Sequence, residues 1–145
     1  MKFSVKSVYG ILAALDLALQ NGSAPVQAKV IARRQAIPAR FLEQVLHSMK
    51  KAGLVDSLRG AHGGYVLRKL PAQISLAEIV EALDGPLTHP SAGTNGRLPV
   101  SESLLAQVWE RVRLAELGVL SGITLKELSD RHQELQQQRS PMYHI

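Results

Sequence analysis

At 145 residues, the chain can form one compact domain or a small domain with an oligomerising extension. It contains no cysteine, which excludes disulfides and thiolate chemistry. No apolar run reaches the roughly 18 residues that a membrane-spanning helix needs. Lys6 and Asp16 interrupt any apolar core of a signal peptide. We therefore expect a cytoplasmic protein that does not bind a membrane.

Charge is divided unevenly along the chain. Residues 1–70 carry 11 Lys+Arg against 3 Asp+Glu, a net charge of +8. Residues 71–145 carry 6 Lys+Arg against 9 Asp+Glu, a net charge of −3. A basic half followed by an acidic half is typical of a domain that binds a polyanion, joined to a part with another role.

Three helices are predicted in the basic half. Apolar residues at helical spacing predict the first over residues 4–20, where an Asn-Gly pair ends it. A second helix is predicted over residues 26–34. Pro38 then opens the third helix, and Gly53 is suited to its C′ position. The predicted buried stripe of the third helix consists of Phe41, Leu42, Val45, Leu46, Met49 and Ala52.

A β-hairpin is predicted after the third helix. Apolar runs at residues 54–58 and 65–67 flank a glycine-rich tip that carries an arginine. A helix pair followed by such a hairpin is typical of a winged helix-turn-helix, a module that enters DNA grooves. The predicted fold class is therefore mainly α with a small β-hairpin wing.

The acidic half is predicted to contain three further helices. Capping boxes that begin at Ser75 and Thr124 open a helix to about Leu83 and a final helix to about Gln138. Between them, a long apolar helix begins near Ser101. These elements divide the chain into a winged helix-turn-helix domain, a linker without apolar periodicity, and a dimerisation helix with a C-terminal helix; the three parts span residues 1–84, 85–100 and 101–145.

The third helix carries candidate base-reading residues. Such side chains must project away from the buried stripe and lie near the amino-terminal end of the helix. Arg40, Glu43 and Gln44 meet both conditions and match guanine, cytosine and adenine, respectively. The same face carries further candidate DNA contacts, of which the two lysines suit phosphates: His47, Lys50 and Lys51. The alternative is a solvated helix face that binds nothing.

The hairpin tip supplies the second candidate contact. Arg59 stands beside Gly60, and an arginine on such a tip can enter a narrow, A·T-rich minor groove. His62, on the same tip, is assigned to the same DNA surface. The alternative is a surface hairpin whose glycines serve only the turn. A phosphate-binding P-loop is excluded because the Walker spacing is absent.

Enzymatic chemistry is not predicted. The five histidines show no tight metal-ligand spacing, and no serine, histidine and acid stand in the pattern of a nucleophile site. We therefore assign no catalytic residue, metal ligand or cofactor. A metal-dependent enzyme is the least favoured interpretation.

Several segments of the chain resemble the Rrf2 family of winged-helix transcription regulators. The resemblance covers nearly the whole chain, and its specific parts are Phe41-Leu42-Glu43-Gln44, Lys51-Ala52-Gly53-Leu54-Val55, Arg59-Gly60-Ala61-His62-Gly63-Gly64-Tyr65, Asp84-Gly85-Pro86 and Ile123-Thr124-Leu125. The resemblance implies a homodimer in which a long helix from each subunit crosses the other. It also implies that Glu43 discriminates among operators and that Arg59 enters the minor groove.

The chain departs from the cluster-sensing members of that family. Those members carry three cysteines in the loop that corresponds to residues 87–100, whereas this chain has none; the third cysteine position becomes Ser103. A histidine that is frequent three residues before the tryptophan becomes Ala106. Because iron–sulfur clusters are held mainly by thiolates, no cluster is expected. Arg40 stands where relatives often have serine, so base preference is expected to differ.

Without a cluster, three modes of regulation remain open. The protein could bind DNA at a level set by its own concentration, bind a small effector near the linker, or bind a partner enzyme. The persistence of the linker favours the last two. The sequence thus predicts a homodimeric regulator that binds double-stranded DNA at a pseudo-palindromic operator, with repression favoured over activation. The alternative is a winged-helix protein–protein adaptor whose basic face meets an acidic partner.

Overall fold

A computed structural model describes residues 3–20, 24–88 and 99–139. The helices are α1 (Val5–Leu19), α2 (Ala28–Gln35), α3 (Ala39–Lys51), α4 (Leu76–Asp84), α5 (Val100–Ser121) and α6 (Leu125–Arg139). Strands β1 (Val55–Leu58) and β2 (Gly64–Leu67) form an antiparallel hairpin, and a short 3₁₀ helix covers Pro71–Gln73. The predicted fold class is confirmed. Most of the predicted linker, residues 89–98, lies outside the described residues.

Helix α3 has a fully buried apolar face and an exposed polar face. Its inner face is formed by side chains with no solvent exposure: Leu42, Val45, Leu46 and Met49. Phe41 is half-buried and meets the ring of Tyr9 edge to face, with 5.4 Å between ring centroids. Ala52, predicted to belong to the buried stripe, is exposed because it is the C-cap and lies past the last turn.

The carboxyl end of α3 directs the chain into the hairpin. Gly53 adopts a φ of +79°, which glycine tolerates without Cβ strain. Its N–H donates to the Lys50 carbonyl, and the next N–H, of Leu54, donates to the Met49 carbonyl. These two bonds form a Schellman motif, as the predicted C′ glycine requires. The motif turns the chain within two residues, so β1 begins directly at Val55.

Helix α1 buries a different face from the one its larger apolar residues suggest. Val5 and Val8 are 56% and 46% exposed. The buried face instead consists mostly of small residues, among them Ser7, Gly10 and Ala14. A Cβ on Gly10 would lie 2.1 Å from Cδ1 of Leu83, so α1 and α4 approach closely at this glycine. Small side chains therefore decide which face of α1 packs inward.

Helix α2 begins at Ala28 and not at the predicted Val26. Val26 is extended and exchanges two backbone hydrogen bonds with Tyr65 of β2, at N···O distances of 3.0 and 2.8 Å. The prediction was wrong here because an apolar residue suits a helix and a short strand equally well. The pairing adds a third, one-residue strand to the wing.

A buried carboxylate fixes the turn between α2 and α3. Asp16 of α1 accepts hydrogen bonds from Nε and Nη2 of Arg34, at 3.1 and 2.7 Å, and from the Gln35 amide at 3.0 Å. The Asp16 side chain is 3% exposed, whereas that of Arg34 is 40% exposed. At the turn, Ala36 adopts a left-handed conformation with a φ of 53°. The ion pair thus holds α1 against the end of α2, just before the chain enters α3.

The carboxyl-terminal part returns to the core after the long helix. Ser75 and Thr124 pair as an isolated antiparallel bridge, and Leu125 is fully buried. The two predicted capping residues act as expected, since Ser75 Oγ accepts from the N–H of Glu78 and Thr124 Oγ1 from that of Glu127. No helix within the described residues is long and apolar enough to cross a membrane.

We expect Asp16→Ala to lower the free energy of unfolding by about 2 kcal/mol, because Arg34 and Gln35 would lose their shared acceptor. The loss should stay below the roughly 3–5 kcal/mol typical of a fully buried pair, since the arginine is partly exposed. Urea denaturation measures this change in the free energy of unfolding. The control is Asp130→Ala, which removes the exposed Lys126–Asp130 pair and should cost less than about 0.5 kcal/mol. Equal losses in both variants would contradict this role for Asp16.

Candidate nucleic-acid interface

The outer face of α3 presents the predicted base-reading residues together. Arg40, Glu43, Gln44 and His47 are all exposed, and with half-buried Ser48 they line an open depression along the helix. Spacings of three and four residues place these side chains in one row. The row combines a forked donor, a carboxylate acceptor and an amide, which are the groups that read base edges in a major groove. Ser48 was not predicted; it could have been found from its position four residues after Gln44.

The two lysines at the end of α3 differ in their surroundings. Lys50 Nζ donates a hydrogen bond of 2.8 Å to Ser57 Oγ in β1. Lys51 is exposed. Both cations lie in the last turn of α3, where the helix dipole favours positive charge. Lys51 therefore suits the predicted phosphate contact, whereas Lys50 also joins α3 to the wing.

The wing tip places its arginine in solvent. Arg59 and Gly60 are exposed, and the N–H of Gly63 donates to the Gly60 carbonyl at 3.0 Å, which closes the turn. A Cβ on Gly63 would stand 2.2 Å from the Leu58 carbonyl oxygen. The backbone of the tip therefore packs on itself and leaves no room for a Cβ at Gly63, so glycine is needed there for space as well as for the turn.

His62 lies on the side of the tip that faces α2. It lines an open groove of about 490 Å³ together with Pro25, Gln27 and Arg34. It does not belong to the row on α3. His62 therefore lies on the wing and not on α3, and its assignment to the DNA surface stays a prediction.

The wing is attached to the domain by its second strand. The Val26–Tyr65 pairing brings backbone so close to Gly64 that a Cβ there would lie 2.5 Å from the carbonyl carbon and oxygen of Val26. Gly64 also has a φ of +147°. Glycine is thus required at this position by both conformation and space. The sequence placed Gly64 among the glycines of a tightly turning tip, and the contact with Val26 that explains it joins distant segments.

An ion pair lies across the base of the wing. Asp56 Oδ1 accepts two hydrogen bonds from Arg68, at 3.1 Å from Nε and 2.7 Å from Nη2. The hydrogen bond from Arg68 lowers the pKa of Asp56 below its usual value, and the nearby Lys50 charge acts in the same direction. Asp56 is therefore an anion on a basic face, and its charge is compensated within the wing.

The start of the predicted linker is held at the amino terminus of α1. Asp84 accepts hydrogen bonds from the Ser4 backbone and hydroxyl and, at 2.6 Å, from the Ser7 hydroxyl. Partial desolvation raises the pKa of Asp84, but these hydrogen bonds outweigh it and the net shift is downward.

No group of three His, Cys, Asp or Glu within the described residues could hold a metal ion.

Comparison with known proteins identifies the family. The model of the Rrf2 family, described as an iron-dependent transcriptional regulator, matches residues 3–131. The chain belongs to the Rrf2 family. It is similar to the HTH-type transcriptional regulator CymR of Bacillus subtilis, with 36% identity over 129 residues that cover 89% of this chain and 90% of the relative. It is also 35% identical to IscR of Cronobacter sakazakii over 136 residues, which cover 93% of this chain and 84% of the relative.

Solved structures agree with this assignment. The structure of IscR of T. potens superposes with a TM-score of 0.78 at 38% identity and covers 99% of this chain and 97% of its own. That of CymR of B. subtilis, the global cysteine regulator, gives a TM-score of 0.77 at 35% identity and covers 90% and 98%. This chain is accordingly a DNA-binding helix-turn-helix transcription regulator and not an enzyme.

The family description includes dependence on iron, but a thiolate-bound iron–sulfur cluster does not fit the residues of this member. Iron–sulfur clusters need thiolate ligands, and even Rieske centres keep two cysteines. The whole chain has no cysteine, and residues 87–100 offer His89 as their one imidazole. A standard cluster has no ligand set in this Rrf2 protein.

The attachment of the wing can be tested with Gly64→Ala. We expect the Val26–Tyr65 pairing to break, at a cost of about 2 kcal/mol for two hydrogen bonds. Amide hydrogen exchange should then accelerate at Val26 and Tyr65. Gly60→Ala is the matched control, because Gly60 also has positive φ but has open space around its missing Cβ. If Gly60→Ala accelerated exchange at the same two amides equally, backbone strain alone would explain the effect.

Proposed function

We propose that this Rrf2 regulator binds a pseudo-palindromic operator as a homodimer, reading bases with α3 and a minor groove with Arg59. The supporting observation is the continuity of the surface. The row on α3 runs from Arg40 towards Lys50, and Lys50 is hydrogen-bonded to Ser57, two residues before Arg59. One exposed basic surface thus joins the recognition helix to the wing tip.

Roles along this surface follow from chemistry and position. Arg40 is suited to the O6 and N7 of guanine, Gln44 to adenine, and Glu43 to the cytosine amino group. Lys51 is suited to phosphates, which supply affinity without sequence information. Arg59 is suited to a narrow A·T-rich minor groove, where negative potential is concentrated. His47 and His62 lie at the margins of the two contacts.

The homodimer is supported by the exposed apolar surface of α5. None of the 22 residues of α5, all within the described range 99–139, is buried in the single chain. Its exposed apolar side chains include Leu104, Leu105, Val108 and Val119, and Leu104 and Val119 are 58% and 62% exposed. A monomer would leave this surface in water. Two-fold symmetry then places the two recognition helices in major grooves one turn, about 10 bp, or a multiple apart.

We further propose repression as the regulatory outcome, controlled by a small effector or a partner enzyme near the linker. A bound dimer excludes other proteins from the operator by volume alone, so repression needs no additional contact. Control by a cluster is not proposed, because the chain offers no thiolate. The described side of the linker already has a shaped surface, where Asp84, Leu87 and Thr88 meet Phe3 and Glu116.

The decisive experiment selects duplexes from a random pool with purified protein at fixed, near-physiological salt. We expect a two-fold motif with A·T-rich segments at the wing positions. Arg59→Ala should weaken binding to A·T-rich operators by about 1–3 kcal/mol and have less effect on G·C-rich ones.

Arg131→Ala is the control for that experiment. It removes the same charge from the exposed Arg131–Glu134 pair of α6, so it should change neither motif nor affinity. Uniform weakening by Arg59→Ala would mean that Arg59 meets only phosphate. Recovery of no motif, with weak and salt-insensitive binding, would favour the protein–protein adaptor.

The dimer can be tested by charge on α5. We expect Val108→Glu to raise the dimer dissociation constant by at least about thirtyfold, because a buried interface position would then carry an unpaired carboxylate. Sedimentation velocity across a concentration series measures the change. Gln107→Glu, at the neighbouring exposed position, is the matched control. Wild-type protein that sediments as a monomer at micromolar concentration would refute the dimer.

A further inference from the structure

Hydrogen bonds join the wing to the helix-turn-helix elements at one level along its length. Ser57 of β1 stands directly opposite Tyr65 of β2 in the hairpin register. Ser57 Oγ accepts the hydrogen bond from Lys50 Nζ of α3, at 2.8 Å, and Tyr65 exchanges backbone hydrogen bonds with Val26, just before α2. Each strand therefore has one hydrogen-bonded attachment to a helix-turn-helix element at the same cross-strand pair, in addition to the apolar packing of Val55, Tyr65 and Leu67 against the core.

The tip extends directly beyond this pair. The next register pair is Leu58 with Gly64, and Leu58 is 51% exposed. Arg59 follows, about 7 Å from Ser57 at the rise of an extended strand. A two-stranded hairpin of this size is marginally stable by itself. The direction in which Arg59 projects therefore depends on the two attachments at Ser57 and Tyr65 together with the packing of Val55 in the core.

The two attachments differ in kind. The one at Tyr65 consists of backbone hydrogen bonds, which do not depend on a side chain. The one at Ser57 consists of two side chains, a hydroxyl and an ammonium group. Alternation along β1 places Ser57 on the same face as the fully buried Val55, whereas Asp56 projects to the other face and pairs with Arg68. The Asp56–Arg68 pair lies within the wing and does not itself join the wing to α3.

We propose that Ser57 is a positioning residue for DNA recognition: by accepting the hydrogen bond from Lys50, it sets the angle of the wing against α3 and so determines how selectively Arg59 reads the flanking minor groove. The inference rests on the proposed function of Arg59. Lys50 then has a geometric role besides its charge, because its ammonium group holds the wing as well as lying on the basic surface. Selectivity at the flank depends in this way on a residue that need not touch a base.

The test uses two duplexes with identical half-sites and either A·T-rich or G·C-rich segments at the wing positions. Wild-type protein should prefer the A·T-rich duplex. Ser57→Ala should reduce that preference about fivefold, the effect of one hydrogen bond. Half-site preference and salt dependence should stay at their wild-type values. Ser57→Thr keeps the hydroxyl on a strand-compatible side chain and should restore the preference.

Lys51→Ala distinguishes the effect of losing a positive charge from the effect of changing the position of the wing. It removes one cation next to Lys50 and should weaken both duplexes equally while it lowers the salt slope by about one. Lys50→Ala should show this loss of salt slope together with the reduced flank preference of Ser57→Ala.

Two results would contradict the proposal for Ser57 without affecting the proposed function of Arg59. Flank preference unchanged in Ser57→Ala would mean that the wing keeps its angle without the hydrogen bond. Equal weakening of both duplexes by Ser57→Ala would mean that the hydroxyl binds a phosphate directly. Wild-type protein that binds the half-sites but does not distinguish the flanks would refute the wing assignment in the proposed function, and with it this inference.

Discussion

The proposed base contacts, and the position of the wing that follows them in the chain, depend on the burial of one face of α3. Four side chains without solvent exposure fix the rotation of this helix, so its opposite face must point outwards. A core of this density tolerates little rotation, because a turned helix would expose leucine and methionine and bury arginine and glutamate. The Asp16–Arg34 pair adds a second restraint by fixing the end of α2, three residues before Pro38. The recognition face is therefore positioned before any DNA is present.

Local signals in the sequence predicted much of this arrangement. Helical periodicity identified the stripe of α3, and a single glycine identified its end, because both effects act within one or two turns. The contacts that the sequence did not reveal join segments distant along the chain. Val26 resembles a helical residue until its pairing with Tyr65 is known, and Asp16 resembles a surface carboxylate until Arg34 is placed beside it.

Helix α1 shows that the larger apolar side chains of a helix need not form its buried face. Its valines predict a buried face, yet Val5 and Val8 remain half exposed while Gly10 meets α4. Close packing of two helices favours small side chains at the contact. The exposed valines and the apolar surface of α5 share one property, which is that the single chain leaves them in water. A second subunit that covered α5 could also account for the apolar face of α1.

The chain lacks the thiolate ligands of a cluster but has the proposed DNA-reading surface, which limits how a signal can reach that surface. In this member of the Rrf2 family, a signal cannot enter through thiolate-bound iron, because the chain contains no thiolate. A signal can instead act through packing and hydrogen bonds. The carboxyl end of α4 is suited to this, since Asp84 joins the start of the linker to the first turn of α1, and α1 carries the Asp16 that fixes the end of α2. A ligand that displaced Asp84 from Ser4 and Ser7 would loosen the helix that orients the recognition surface.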